Sequence, residues 1–411
     1  MRKDALMLIP SVFGEADKAA VDISWQRFSV PYEYPVAFTR GLFVPENTLL
    51  ADMLALREPQ ESHRCLVYID SGLADAQGTL VKRVENYFTA HAGIELLTAP
   101  MLVPGGERIK AESSYLEAIQ NDIHQLGVDR HSYVIAIGGG AVLDAVGFAA
   151  STAHRGVRHV RIPSTVLAQN DSGVGVKNAV NFKGVKNFLG CFSPPWAVLS
   201  DFDLLDSLPR RERVAGISEA IKVALIRDRG FFEWLESNAE GLISHQRSAE
   251  EHMIRHSAQL HMRQIAQGGD PFEHGSARPL DFGHWAAHKL ESLTNHEVHH
   301  GEAVAIGMAV DTRYSVLTGL LPPGEDERIV SFLERLGLPV FHPALTAPGT
   351  DGDMAILNGL REFREHLGGE LTVTLLAELG VGQEVHSMDA EQVAQAITWL
   401  GAREVRNAVA G

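Results

Sequence analysis

The chain has 411 residues, 45% of them hydrophobic and 21% charged, with a formal net charge of −16. This length suits two domains or one two-lobed domain, and the composition predicts a packed globular core. The acidic balance excludes a general binder of nucleic acid or of anionic membranes, so an anionic small substrate would need a local cluster of Lys and Arg.

In chain order, the first apolar run is short and broken by Pro10, so neither a signal peptide nor a membrane span is expected. The opening stretch of roughly 45 residues alternates aromatic and polar side chains ("WQRFSVPYEYPVAF"), which predicts an accessory hairpin or edge strands. "RCLVYIDSG" predicts a buried strand ending at Asp70, "GTLVKRVENYFTAH" a helix, and "IELLTAPML" a second strand. "ESSYLEAIQNDIHQLG" predicts a helix stopped by Gly127, and "SYVIAIGGGAVLDAVGFAAS" a strand, three glycines and a helix. Strands alternating with helices imply a doubly wound parallel sheet. Beyond "DLLDSLPRRERVAGISEAIKVALI", helical spacing dominates over 211–227, 230–239, 248–267, 282–294, 302–319 and 325–337. The expected architecture is an α/β, Rossmann-like N-terminal lobe over 1–203, with an extension over 1–60, and a mostly helical lobe over 204–411. Cys65 and Cys191 are the only cysteines, with no CxxC; a reducing compartment, hence the cytoplasm, is expected.

Gly138, Gly139 and Gly140 stand between a buried strand and a helix. Glycines let a pyrophosphate approach the backbone, and the helix start offers free N–H groups and a positive dipole end. A tight strand–helix turn would explain the glycines alone. Asp70, a candidate ribose acceptor, together with Glu107 and Lys110 in "PGGERIK" and Asp144 in the following helix, favours a dinucleotide. Downstream, Arg155, Lys177, Lys183, Lys186 and Asn187 lie among glycines and small polar residues, a composition suited to phosphate. Asp171 in the same stretch would need hydroxyl or ammonium partners if buried.

Five histidines fall between His284 and His300. His284 and His288, four apart, share one helical face, and HxxxH is itself a two-ligand metal bite. Glu291 continues that face. Glu219 and Lys222 in "SEAIK" share another, and a Glu with two His would leave a zinc position open for a substrate oxygen.

In these segments, "GGGAVLD", "STAHRG", "PSTVLAQNDSGVGVKN", "KNFLG", "LPRRERVAGISEAIK", "FGHWAAH" and "HGEAVAIGM", the chain resembles the sugar phosphate cyclases, whose best-known member is 3-dehydroquinate synthase. The likeness runs in order over roughly 65–380. It implies a dehydroquinate synthase-like fold and a divalent metal, zinc first and cobalt as the alternative, on Glu219, His284 and His300. It also implies NAD on Asp70, Glu107, Lys110, Gly138, Gly139, Gly140, Asp144, Ser164, Thr165, Asp171, Lys186, Ser207, Leu208 and Glu212. Substrate contacts would come from Asp171, Lys177, Lys186, Asn187, Lys222, His288, Arg263, Asp281 and Arg155, the last reaching across a homodimer. The pair His284 and His288 remains the rival metal set, and His296 and His299 match no family role.

The implied reaction on a sugar phosphate is oxidation, phosphate elimination, reduction, ring opening and aldol closure. Where dehydroquinate synthases carry an Arg for the substrate carboxylate, this chain has Ala277, with Arg278 beside it. The family Asn before the first metal His is Asp281, a Lys is Arg263, and the late "DKK" is replaced around Arg364 and Glu365. These changes disfavour a carboxylate-bearing substrate and favour a neutral-bodied sugar phosphate such as sedoheptulose 7-phosphate. Open alternatives are 3-dehydroquinate synthase proper, a metal alcohol dehydrogenase of the glycerol dehydrogenase type, and a catalytically silent relative.

Overall fold

Among the described residues, nine strands precede residue 202: β1 (Val36–Thr39), β2 (His63–Asp70), β3 (Ile94–Leu96), β4 (Met101–Val103), β5 (Tyr133–Gly138), β6 (Arg158–Pro163), β7 (Lys177–Phe182), β8 (Val185–Phe192) and β9 (Ala197–Asp201). The structure is a computed structural model that describes residues 24–273, 280–349, 352–366 and 370–410. Seven strands form one sheet, in the order β1-β9-β6-β5-β2-β3, with β4 also on β2. Every pairing in it is parallel. Parallel strands are covered on both faces, so the central ones read as continuous apolar runs; all six residues of β5 are buried. Alternate side chains feed two cores. Cys65, Val67, Ile69, Ile135 and Ile137 pack to one side, and Leu66, Tyr68, Val134 and Ala136 to the other.

After β2 the chain builds β3 and β4 on one flank and then crosses to β5 on the other. The carboxyl ends of β2 and β5 therefore flank a switch point, where open α/β sheets form their ligand crevice. Asp70 and Gly138 end those two strands.

The helix Arg210–Arg227 is buried from Arg213 to Ile226, as expected of a helix enclosed on all sides. The helices Arg247–Gln267, His284–Leu293 and His300–Leu317 accompany it. Two later strands, β10 (Val373–Glu378) and β11 (Val381–Val385), pair as a hairpin before the helix Ala390–Ala410. No helix among the described residues is long and apolar enough to cross a membrane.

The α/β class and the helical second half are as expected. Three details refine this. Of the accessory hairpin or edge strands expected near the start, an edge strand forms: residues 24–33 contain no helix or strand, and β1 lies at the sheet edge, parallel to β9. Pro31 and Pro35 lack the N–H that a ladder needs. "IELLTAPML" makes two short strands, because Pro100 separates the segments that pair with the start and end of β2. The cation-rich segment folds as the antiparallel hairpin β7–β8, turning at Lys183 (φ 49°) and Gly184 (φ 81°). Two successive positive φ values suit a tight hairpin turn.

Two backbones meet where the His284 helix begins. Gly283 has φ 78°, and a Cβ on Gly307 would lie 2.0 Å from the Gly283 carbonyl oxygen. Gly307→Ala should therefore destabilise the fold by about 1–3 kcal/mol through overpacking. The urea midpoint measures this, and a wild-type midpoint would show that the two helices can separate at no cost.

Candidate functional site

Glu219 lies in the middle of the buried helix, 1% exposed. Lys222, one turn on, places Nζ 2.5 Å from its Oε2, while Oε1 receives no hydrogen bond. Facing Oε1 are Nε2 of His300 at 3.5 Å and Nε2 of His284 at 3.8 Å. Each imidazole is oriented through its other nitrogen: His284 Nδ1 is 3.1 Å from the Phe282 carbonyl and His300 Nδ1 is 3.2 Å from Glu291 Oε2. Such outer contacts fix the tautomer of a metal-binding histidine and turn the second nitrogen inward. Ligand atoms of Glu219, His284 and His300 all lie within 4.8 Å of one another. An orphaned buried carboxylate oxygen facing two oriented imidazoles fits a divalent metal.

Burial pushes the His284 imidazole down to about 3, with Lys222 adding to the effect. Burial also opposes charge on His300, yet Glu291 and Glu219 outweigh it and hold that group up at about 9. For Glu219 burial is outweighed by Lys222, leaving its carboxyl at about 2. His288, exposed but on the same helical face as His284, has its ring centroid 5.4 Å from that of His284 and 6.1 Å from that of His300. His288, Glu291 and His300 form a second possible metal group, but Lys186 already sits 2.7 Å from Glu291 Oε1.

From this centre, charges alternate outward. Lys222 Nζ is 3.9 Å from Asp171 Oδ1, and His261 Nδ1 is 2.7 Å from the same oxygen. Burial would raise Asp171, but Lys222 and His261 hold it well below the usual carboxylate range. On the other side Lys186 reaches Glu107 at 3.9 Å. Lys110 donates to Asp144 at 2.8 Å and to Asn187 Oδ1 at 2.5 Å.

The crevice residues follow the strand ends. Asp70 Oδ1 accepts from the N–H groups of Gly72 and Leu73, which caps the short helix after β2. Gly139 precedes the helix Gly140–Thr152 without a side-chain cap. A Cβ on Gly140 would lie 2.7 Å from Ser172 Oγ, a buried hydroxyl with no hydrogen-bond partner. Ser164 and Thr165 follow β6. The uncapped helix N–H groups and the orphaned Ser172 hydroxyl, which the missing Cβ of Gly140 lets come close, together fit a pyrophosphate.

Other expected residues lie apart from this cluster. Arg155 is exposed at φ 63°, Lys177 is exposed and pairs with Glu273 at 2.7 Å, and Arg263 is exposed on the Arg247–Gln267 helix. Ser207 accepts from Gln77 at 3.2 Å, Leu208 packs against the helical core, and Glu212 lies 2.7 Å from His299. Asp281, by contrast, is near the cluster: it is partly buried before the His284 helix, and with Glu219 and Asp171 it outweighs burial and raises Lys222. Arg364 and Glu365 are exposed; Ala277 and Arg278 fall outside the described residues. Sequence reasoning missed His261, the bridging role of Glu291, and Ser172. Glu291, seven residues beyond His284 on the same helical face, could have been found from spacing; His261 and Ser172 carry no local signal.

Two family models match successive parts of the chain: 3-dehydroquinate synthase N-terminal over residues 100–215 and 3-dehydroquinate synthase C-terminal over 216–355. The chain belongs to the 3-dehydroquinate synthase family of sugar phosphate cyclases. It is 36% identical over 317 residues to 2-epi-5-epi-valiolone synthase of Streptomyces glaucescens, covering 77% of this chain and 78% of that one. It is 33% identical over 370 residues to 3-dehydroquinate synthase of Xylella fastidiosa (strain 9a5c), covering 89% of each. A solved 2-epi-5-epi-valiolone synthase from Streptomyces hygroscopicus subsp. jinggangensis 5008, with NAD+ and Zn2+ bound, matches with a TM-score of 0.81 and 29% identity, covering 92% of this chain and all of the other.

In this family member the His284 helix is anchored by Asp311, which accepts from Gly283 N–H at 3.0 Å and Trp285 Nε1 at 2.8 Å. Burial pushes the Asp311 carboxyl up to about 7 despite those donors. The fold therefore keeps a proton that the unfolded chain releases near pH 4. That stabilisation is complete below about pH 4 and is lost as the pH rises through about 7. Asp311→Asn should flatten this part of the stability profile, as read from urea midpoints at about pH 4, 6 and 8. Equal slopes in wild type and variant would mean that Asp311 is already ionised.

Proposed function

We propose that this chain is an NAD- and metal-dependent sugar phosphate cyclase, a carbon–oxygen lyase that turns a sugar phosphate into a carbocycle with loss of phosphate. The observation that carries the reading is the convergence of Glu219, His284 and His300 with the Lys222, Lys186 and Asn187 set. A glycerol dehydrogenase-type enzyme would use a metal and NAD but has no need for that set of phosphate- and hydroxyl-binding groups. Arg155, exposed and unpaired among the described residues, is available to a second copy, in keeping with a homodimer.

Glu219 and Nε2 of His284 and His300 would hold the metal, while the strand-end crevice from Asp70 to Thr165 would hold NAD. When bound, these groups supply Lewis-acid polarisation of a substrate hydroxyl and a hydride acceptor that returns what it takes. The ammonium groups of Lys222 and Lys186 suit the anionic groups of a sugar phosphate. Asn187 and His288 can donate to, or accept from, its hydroxyls. Asp281 offers a strong acceptor to a neutral sugar hydroxyl but repels a carboxylate. The substrate we favour is therefore a neutral-bodied sugar phosphate such as sedoheptulose 7-phosphate. Dehydroquinate synthesis is the second reading, supported by a relative of that name at similar identity.

His300→Ala should abolish retention of one divalent metal per chain, whereas His288→Ala should keep the metal. Metal analysis after gel filtration reads both, and the reverse pattern would give the site to the HxxxH pair. The activity itself is tested by offering sedoheptulose 7-phosphate and the seven-carbon sugar acid phosphate, while following phosphate release and NADH. A cyclase releases phosphate without net NADH, and this one should prefer the neutral sugar. Accumulating NADH would identify a dehydrogenase, faster turnover of the acid a dehydroquinate synthase, and no turnover of any sugar phosphate a silent relative.

A further inference from the structure

The turn at Asn170–Asp171 is clasped from two sides. Asn170 Nδ2 donates to the Gly216 carbonyl on the central helix at 2.8 Å. From the Arg247–Gln267 helix, Ser257 Oγ donates to the Asn170 carbonyl at 3.4 Å. One helical turn later, His261 Nδ1 meets Asp171 Oδ1 at 2.7 Å. Ser257 and His261, four apart, share one helical face, so this helix approaches the turn along a single edge. Lys222 also addresses Oδ1, at 3.9 Å, which leaves Oδ2 without a partner among the described residues. The other ring nitrogen of His261 faces Gly175, where a Cβ would sit 3.7 Å from Nε2. A carboxylate on Nδ1 fixes the tautomer, because an oxygen that only accepts requires the N–H on that side.

We propose that His261 is a positioning residue of the reaction. It donates Nδ1–H to Asp171 Oδ1, fixing the carboxylate against Lys222 so that Oδ2 is presented to a hydroxyl of the bound ligand. The proposal rests on the cyclase reading above and adds a residue from a different helix to the site. It also explains why an ionised carboxylate is tolerated at a nearly closed turn: its inner oxygen meets one hydrogen-bond donor, His261, and the nearby ammonium of Lys222. Arg161 serves the same segment from below. It is fully buried and donates to the carbonyls of Ser172, Gly173, Gly175 and Lys177, so the chain following Asp171 has little freedom to compensate for a lost His261.

The test compares His261→Ala, His261→Asn and Asp171→Asn in the full-length, metal-loaded protein. His261→Ala should keep its metal and fold, yet lose kcat by roughly 10- to 100-fold, the scale of one hydrogen bond to a charged group. KM for the preferred sugar phosphate should stay within about threefold, and His261→Asn, whose amide N–H can replace Nδ1–H, should recover to within about fivefold of wild type. An Ala variant within about twofold of wild type, or Ala and Asn variants equally impaired, would overturn the proposal. If wild type turns over no sugar phosphate, the enclosing reading has failed, and proton NMR of the His-labelled protein still decides this contact. A downfield imidazole N–H resonance should be present in wild type and absent in Asp171→Asn; persistence in that variant would show that His261 does not donate to Asp171.

Discussion

A carboxylate that is 1% exposed must find positive charge inside the protein, and the centre of this molecule is arranged around that need at Glu219. Leaving such a group unpaired costs several kcal/mol even after the protein relaxes. Lys222 on the next turn meets one oxygen. Two imidazoles from two other helices face the second. Each imidazole needs an acceptor behind it, so Glu291 is drawn in, and Glu291 in turn draws in Lys186 from the β7–β8 hairpin. Acidic groups thus alternate with basic ones from Asp171 through Lys222, Glu219, the His300 imidazole, Glu291 and Lys186 to Glu107. This line joins the helical half to the sheet without two like charges in succession.

The sheet contributes a crevice whose position follows from strand order. Because the chain reverses direction across the sheet between β2 and β5, their carboxyl ends are left uncovered by a connection. The glycine turn after β5 and the serine at 172 then keep side-chain bulk out of that gap. The gap is tied to the β7–β8 hairpin by Lys110, which donates to both Asp144 and Asn187.

Much of this was legible in the residues alone. β2 and β5 announce themselves as buried apolar runs, and the helices after residue 210 by their 3.6-residue spacing. The metal-type cluster was harder. Spacing alone pairs His284 with His288 on one face, yet the left-handed Gly283 and the turn before His300 bring His284 and His300 onto Glu219 instead. The family resemblance implied that set; periodicity could not. His261, Ser172 and Arg161 escaped notice because each acts across the fold on a partner 11 to 90 positions away or through a vacant Cβ position, and no local pattern marks such contacts. The β7–β8 hairpin was missed for another reason: its lysines drew attention as charges, while Lys183–Gly184 carried an unread turn signal.

The central claim is that Glu219 is the hub of a single metal centre shared with His284 and His300. Anomalous scattering at the zinc edge, from crystals of the zinc-loaded protein, tests it most directly. The account predicts one strong peak about 2.0–2.2 Å from the Glu219 carboxylate and from Nε2 of both His284 and His300. A peak held instead by His288, Glu291 and His300, or no peak near Glu219, would contradict it.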